Sequence, residues 1–199
     1  MKKILLLALL ATQLFTQLHA GGDAEPIKID EAEIREHKPH ESTKFYVVIA
    51  GLADLGDTIA HEGAYLEGDQ DFGFGIDLGY RIGNGFAIEY DFTYAINTVT
   101  RVEHGLEEEA KGIYYTSALD VVYTYEATEY IGIFGKVGYE YEWETIDAYH
   151  IDAQEHDFVF GIGVEIAMNE SYKLLFEYEY SRIESPRGAA LFAGILINL

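Results

Sequence analysis

The sequence predicts an all-β protein, an eight-stranded antiparallel transmembrane β-barrel with short periplasmic turns and longer extracellular loops. Three observations predict it. Apolar and polar residues alternate with period two over most of the chain, connections alternate between short and long, and one parity of the second to sixth alternating segments carries no charge. The 199 residues amount to one domain, with 16 Tyr, 11 Phe and 20 Gly.

The chain opens with Lys2 and Lys3, an apolar run from Ile4 to Ala11, and Leu18-His19-Ala20. This is the three-part pattern of a secretory signal peptide, with cleavage expected after Ala20. The run is shorter than the roughly 20 apolar residues that a membrane-spanning helix needs. Residues 21–42 are polar, contain Pro26 and Pro39 and lack a sustained apolar face, so they are expected to form a periplasmic leader. The barrel domain is expected over residues 43–199.

The first strand, Lys44 to Leu52, is apolar on both parities, and its faces cannot be assigned from sequence. The second places Phe72, Phe74, Ile76, Leu78 and Tyr80 opposite Gly73, Gly75, Asp77, Gly79 and Arg81. Gly83-Asn84-Gly85 then supplies residues that tolerate the positive φ of a tight hairpin. The third carries Phe86, Ile88, Tyr90, Phe92 and Tyr94, and the fourth Ile113, Tyr115, Leu119, Val121 and Tyr123. The fifth carries Ile131, Ile133, Val137, Tyr139 and Tyr141, and the sixth Phe158, Phe160, Ile162, Val164 and Ile166. The seventh has Leu174, Phe176, Tyr178 and Tyr180, and the eighth Leu191, Ile195, Ile197 and Leu199.

Connections after the second, fourth and sixth strands are short, around Gly83 to Gly85, Glu126 to Glu129 and Met168 to Ser171. Those after the first, third and fifth are long and acidic, around Ala53 to Asp69, Asn97 to Lys111 and Glu144 to Asp157. The connection Glu184 to Arg187 is short for an outer loop and departs from the rule.

A soluble barrel of the lipocalin kind also closes its edges, but needs an apolar interior and a wet exterior. Here the parity opposite the apolar one is rich in Gly, Ala and Thr and carries Asp77, Arg81, Glu89, Asp91, Asp120, Lys136, Glu140, Glu165, Lys173, Glu177 and Glu179. These are expected to form a polar network in a narrow lumen, because eight strands enclose space for side chains and little else. Arg81, Lys136 and Lys173 are expected to pair with the carboxylates, leaving an excess of negative charge. On the apolar parity, the absence of charge fits a surface facing lipid, where Arg or Lys at midplane costs about 2–4 kcal/mol. Tyr80, Tyr123, Tyr125 and Tyr130 fall near one end of the strands, and Tyr94, Tyr115, Tyr139, Tyr141, Trp143 and Tyr180 near the other, as two interfacial girdles would.

Strands such as FGFGIDLGYRIGNGFAIEYDFTY resemble the small outer-membrane barrels of the OmpA transmembrane domain and OmpX type. The likeness runs from about Thr43 to Leu199. It implies an outer-membrane location in contact with lipid and lipopolysaccharide, a monomer, and either a structural or surface-interaction role such as adhesion or envelope integrity, or a small porin-like channel. The chain departs from the resemblance in ending on Leu199 rather than an aromatic residue.

With 13 basic against 35 acidic residues the formal charge is −22, which argues against nucleic acid as a partner, since that affinity rests on Lys and Arg neutralising phosphates. Loss of residues 1–20 takes Lys2 and Lys3 and makes it −24. No cysteine is present, which excludes disulfides, thiolate metal sites and lipid attachment through cysteine. No catalytic constellation is expected: His37 and His40 lie in the leader, and His61, His104, His150 and His156 lie in expected outer loops. His40-Glu41-Ser42 precedes the first strand and is not read as a catalytic motif. The cluster His150, Asp152, Glu155, His156 and Asp157, like Glu107 to Glu109, is read as a solvated acidic face, with no metal or cofactor expected.

Overall fold

A computed structural model describes residues 44–61 and 63–199. The expected signal peptide and leader lie outside the described residues, as does His40-Glu41-Ser42. The strands are β1 (Phe45–Asp54), β2 (Thr58–His61), β3 (Ala64–Gly68), β4 (Asp71–Gly83), β5 (Phe86–Glu103), β6 (Leu106–Glu126), β7 (Ile131–Ile146), β8 (Ile151–Ala167), β9 (Tyr172–Ser181) and β10 (Ala190–Asn198). Eight of them, β1 and β4 to β10, form a closed antiparallel ring, each pairing with its neighbour and β1 pairing with β10. Closure satisfies the backbone of every ring strand without leaving an edge, as a bilayer requires.

The period-two pattern translates directly into faces. Phe74, Ile76, Leu78, Ile88, Leu119 and Ile162 point outward, and the interposed residues point in. In β1, whose sequence left the faces open, Tyr46, Val48, Ala50, Leu52 and Asp54 are interior. Register decides this: Tyr46 sits beside Gly79, leaving room for its ring inside. The lumen is therefore part apolar, with Leu175, Phe134, Phe192 and Leu196 joining Tyr46, Val48 and Leu52 in one cluster.

At the short-turn end, Gly83, Asn84 and Gly85 all take positive φ (120°, 54° and 83°), as the hairpin demands. Thr128 Oγ1 accepts from the Tyr130 and Ile131 amides, and Asn169 Oδ1 from those of Ser171 and Tyr172, closing the other two short turns. Outward aromatic pairs mark both rims: Phe45–Tyr80 (4.9 Å) and Phe86–Tyr123 (4.8 Å) at the short-turn end, Tyr94–Tyr115 (5.0 Å) and Tyr139–Phe158 (5.5 Å) at the other.

The long connections correct the sequence reading in one respect. They are mostly β-structure. β5 and β6, of 18 and 21 residues, exceed the roughly 9–11 residues that span a bilayer. They continue as a ribbon to a two-residue turn at His104 and Gly105, both at positive φ. β7 and β8 likewise continue to a 3₁₀ turn, Asp147–Tyr149, capped by His150 in the left-handed conformation. β2 and β3 form a hairpin whose second strand pairs with β5. Two histidines expected in loops therefore lie in strands: His61 ends β2, and His156 sits within β8, where the Tyr139 hydroxyl lies 2.6 Å from its Nδ1.

The three ribbons share a second core beyond the outer girdle. Leu66, Val99 and Ile146 are buried there, with Ile59, Ala110, Tyr149 and Ile151 packed against them. The Tyr149 hydroxyl shares its proton between the carbonyls of Val99 (3.1 Å) and Glu108 and accepts from the Arg101 amide (3.2 Å). Burial pushes its pKa above the ordinary phenol value, so it remains a donor.

Candidate functional site

All eleven polar residues singled out on the inward parity sit in the lumen, arranged in three layers. Nearest the short turns, Lys173 Nζ donates to Glu165 (2.6 Å), and Arg81 donates to Asn198 Oδ1 (2.7 Å) while lying over the Tyr46 ring. The Tyr46 hydroxyl donates to Glu89 Oε1 (2.5 Å).

The middle layer is centred on Lys136. Its ammonium lies 2.8 Å from Asp91, 2.8 Å from Glu177 and 2.9 Å from Glu179, with Asp120 at 4.0 Å. Asp77 faces Asp91 across the β4–β5 pairing. Glycines admit these side chains: a Cβ on Gly138 would fall 1.5 Å from Asp120 Oδ1, and one on Gly161 2.3 Å from Glu177 Oε1. Beside Lys136 lies a cavity of about 10 Å³ lined by Asp77, Asp91, Lys136, Glu177, Glu179 and neighbouring groups. That holds about one water.

The outer layer contains two buried residues that sequence reading missed, Arg187 and Glu142. Arg187 belongs to the connection expected as a short outer loop; the structure folds that connection into the barrel mouth. Arg187 is 2% exposed, its Nε donating to Glu142 (2.8 Å) and its Nη2 to Glu140 (3.0 Å). The loop is tied down by backbone as well. Leu55 N donates to Ala189 O (2.8 Å), Gly56 N to Arg187 O (3.0 Å), Asp57 N to Pro186 O (3.0 Å), and Asn97 Nδ2 also reaches Pro186 O (3.3 Å). Gly68 abuts the same carbonyl so closely that a Cβ would lie 1.9 Å from it. The available signal was the anomalous shortness of the loop together with a proline and an arginine next to each other; nothing in periodicity links Arg187 to Glu140 and Glu142.

Among the described residues, the acidic outer side chains form no cluster of three or more that could share a metal ion. Glu107, Glu108 and Glu109 are exposed on the β5–β6 ribbon, and Asp152 and Glu155 are exposed on β8. No helix among the described residues is long and apolar enough to cross a membrane; crossing is by strands.

Solved structures with a similar architecture include three outer-membrane proteins. OprG from Pseudomonas aeruginosa is similar at a TM-score of 0.65 and 11% identity, covering 79% of this chain and 97% of that one. Neisserial surface protein A is similar at 0.52 and 16%, covering 79% and 99%. Ail, the attachment invasion locus protein of Yersinia pestis, solved in complex with the heparin analogue sucrose octasulfate, is similar at 0.52 and 13%, again covering 79% and 99%. At these identities the likeness establishes the fold. No curated protein matches the chain by sequence. The family described as "Outer membrane protein beta-barrel domain" matches residues 7–195, nearly the whole chain. With the closed eight-strand ring, outward apolar band and paired girdles in place, the chain belongs to the outer membrane protein β-barrel domain family and is an outer-membrane β-barrel of Gram-negative type.

Proposed function

We propose that this barrel is a structural and surface-interaction protein without a reaction of its own, exported by cleavage after Ala20 and working as a monomer. The observation that carries the reading is the pairing of a filled lumen with an ordered exterior. The Arg187 loop occupies the outer mouth, the cavity beside Lys136 has space for about one water, and the three ribbons are joined by a core of Leu66, Val99 and Ile146. A shared core presents the ribbons as one surface rather than as independent loops, which lowers the ordering cost of binding.

The surface is acidic, with Asp57, Glu67, Glu107, Glu108, Glu109, Asp147, Asp152 and Glu155 all exposed. It suits a cationic partner, or lipopolysaccharide phosphates bridged by divalent ions. A polyanion of the kind seen with Ail would meet like charge on these ribbons. Replacement of the ribbon acids by amides should weaken attachment of whole cells to polycation-coated surfaces, with barrel assembly unchanged by heat-modifiable gel migration. Unaltered attachment would refute the surface reading.

The second reading is a small channel, favoured by the chain of polar groups from Arg81 through Lys136 to Arg187. Planar-bilayer recordings decide between the two: steady conductance by the unaltered refolded protein supports the channel, and its absence supports the surface role. Intact-mass measurement of the membrane-extracted protein, with Gly21 at the N-terminus, tests the export step.

A further inference from the structure

We propose that the outer end of β8 is a docking edge for an extended cationic peptide, which joins the barrel wall as a further antiparallel strand. This rests on the surface role put forward above and gives that role a place and a mode.

The edge arises from unequal strand lengths. β8 starts at Ile151, but its pairing with β9 starts only at Val159, opposite Ser181. Beyond Ser181 the chain gives β8 one more backbone bond, from Arg182 N to Phe158 O (3.0 Å), and then enters the barrel mouth, where Arg187 is buried. Residues Ile151 to Asp157 therefore pair with β7 on one side and, among the described residues, with no strand on the other.

Backbone direction identifies the open groups. In an antiparallel ladder the N–H and C=O of alternate residues point to opposite neighbours. The Phe158 carbonyl points to the β9 side, so the N–H and C=O of His156, Gln154 and Asp152 also point that way, out of the sheet. All three residues are exposed, and they present donors and acceptors at the spacing an added strand uses. The other outer edges are less suited. On β6, beyond its pairing with β7, the Glu108 carbonyl already accepts from the Tyr149 hydroxyl, and β2 offers four residues only.

Charge selects the occupant. Ile151 to Asp157 contains three acids and neither Lys nor Arg, and Asp152 and Glu155 form no ion pair among the described residues. Across the β7–β8 ladder Glu155 stands opposite Glu142 and Asp157 opposite Glu140, an arrangement of like charges that is unfavourable unless offset. Arg187 serves Glu140 and Glu142, and Arg182 lies 3.9 Å from Asp157, so Glu155 is the member left without a base. A basic side chain on the added strand opposite Glu155 supplies it. A second copy of this edge would instead set Asp152 and Glu155 against further acid.

The register follows from the same ladder. Positions of the peptide opposite Asp152, Gln154 and His156 turn their N–H and C=O towards β8, and positions opposite Ala153, Glu155 and Asp157 turn theirs away. Lysines two residues apart meet Glu155 and Asp157, and the residues between them carry the backbone bonds.

The probe is the synthetic peptide Thr-Lys-Val-Lys-Thr-Lys-Val, added to the full barrel refolded in detergent. Hydrogen exchange of the Asp152, Gln154 and His156 amides is expected to slow on binding, with little change at Ala153 and Glu155, whose N–H groups already face β7. N-methylation of the Thr and Val amides should weaken binding by about 10-fold, and N-methylation of the Lys amides should weaken it less. The same peptide with Glu for Lys should not bind. Gln154→Pro removes one edge donor without changing charge, so it should weaken peptide binding while leaving attachment to polycation-coated surfaces unchanged.

Equal binding by the methylated and unmethylated peptides, equal binding by the Glu peptide, or absence of alternate protection along β8 would each overturn the docking edge. So would protection of the same amides by dimerisation of the barrel without peptide. If Gln154→Pro does not assemble, the peptide series on the unaltered barrel decides the matter. Binding that needs lysine but ignores N-methylation rejects the edge and leaves the acidic-surface reading standing, whereas that reading fails on the attachment of the ribbon-amide variants.

Discussion

Arg187 Nε donates to Glu142 Oε2 across 2.8 Å, joining the loop between β9 and β10 to the inward face of β7, 45 residues earlier in the chain. With the bond from Nη2 to Glu140, the guanidinium bridges two carboxylates from the same strand face. Fork geometry makes Arg the side chain suited to this task, and Lys could not span both acids with the same directionality.

Arg187→Ala removes one partner of this buried set and leaves Glu140 and Glu142 facing each other. A loss of about 3–5 kcal/mol in unfolding free energy is expected. Urea unfolding of the refolded barrel measures it. Adding Glu140→Gln and Glu142→Gln to Arg187→Ala should recover part of the loss, because the amides carry no charge to be stranded.

The same loop is expected to restrict the mouth. Deletion of Glu184 to Gly188 should give frequent channel openings in planar bilayers relative to the unaltered barrel. Equal, silent recordings from both would show that the middle layer around Lys136 blocks the lumen by itself.

Gly138→Val should prevent assembly, since its first carbon would already lie 1.5 Å from Asp120 Oδ1 and the partner strand surrounds it. Overpacking costs about 1–3 kcal/mol where neighbours can shift, and more where they cannot. Loss of heat-modifiable migration is the readout. Gly51→Ala, where nothing lies within 4 Å, should leave migration unchanged.

Ile76 is outward-facing near the middle of β4, between Phe72 and Tyr80. Ile76→Arg should destabilise the barrel in lipid vesicles by about 2–4 kcal/mol, and Phe72→Arg, at the strand end, by about 0–1 kcal/mol. Equal effects at the two depths would contradict the placement of the bilayer between the aromatic rims.

Tyr149→Phe removes the hydroxyl that ties the 3₁₀ turn to Val99, Glu108 and Arg101, while keeping the ring in its core. The ribbons should then open more often. On intact cells, cleavage by a glutamate-specific protease around Glu107 to Glu109 should accelerate several-fold, with barrel assembly unaffected.

Much of the ring was legible because lipid and lumen impose opposite chemistry on alternate residues. Phe74, Ile76 and Leu78 against Gly75, Asp77 and Gly79 leave a single assignment of faces once charge on one parity is noticed. β1 was not legible in this way, since Val47 and Val48 are equally apolar. The outer ribbons escaped the same reading because between Arg101 and Lys111 only Val102, Leu106 and Ala110 are apolar, interrupted on their own parity by His104 and Glu108, which is too sparse a pattern to mark strands although backbone pairing persists. The eleven lumen residues could be listed but not paired, since strand register across the ring determines which of eight carboxylates meets Lys136.

By itself, then, the amino-acid sequence determined the class of fold, the ring strands, the lipid-facing surface and the set of charges turned away from it, all of which follow from local periodicity. The tertiary structure decided what those charges do. It brought Asp91, Glu177 and Glu179 to one ammonium, turned Arg187 from a loop residue into a buried bridge, and joined three acidic ribbons through Leu66, Val99 and Ile146. These relationships depend on closure of β1 against β10 and on the shear of the ring, and residues tens of positions apart acquire a common neighbour only when the sheet has closed.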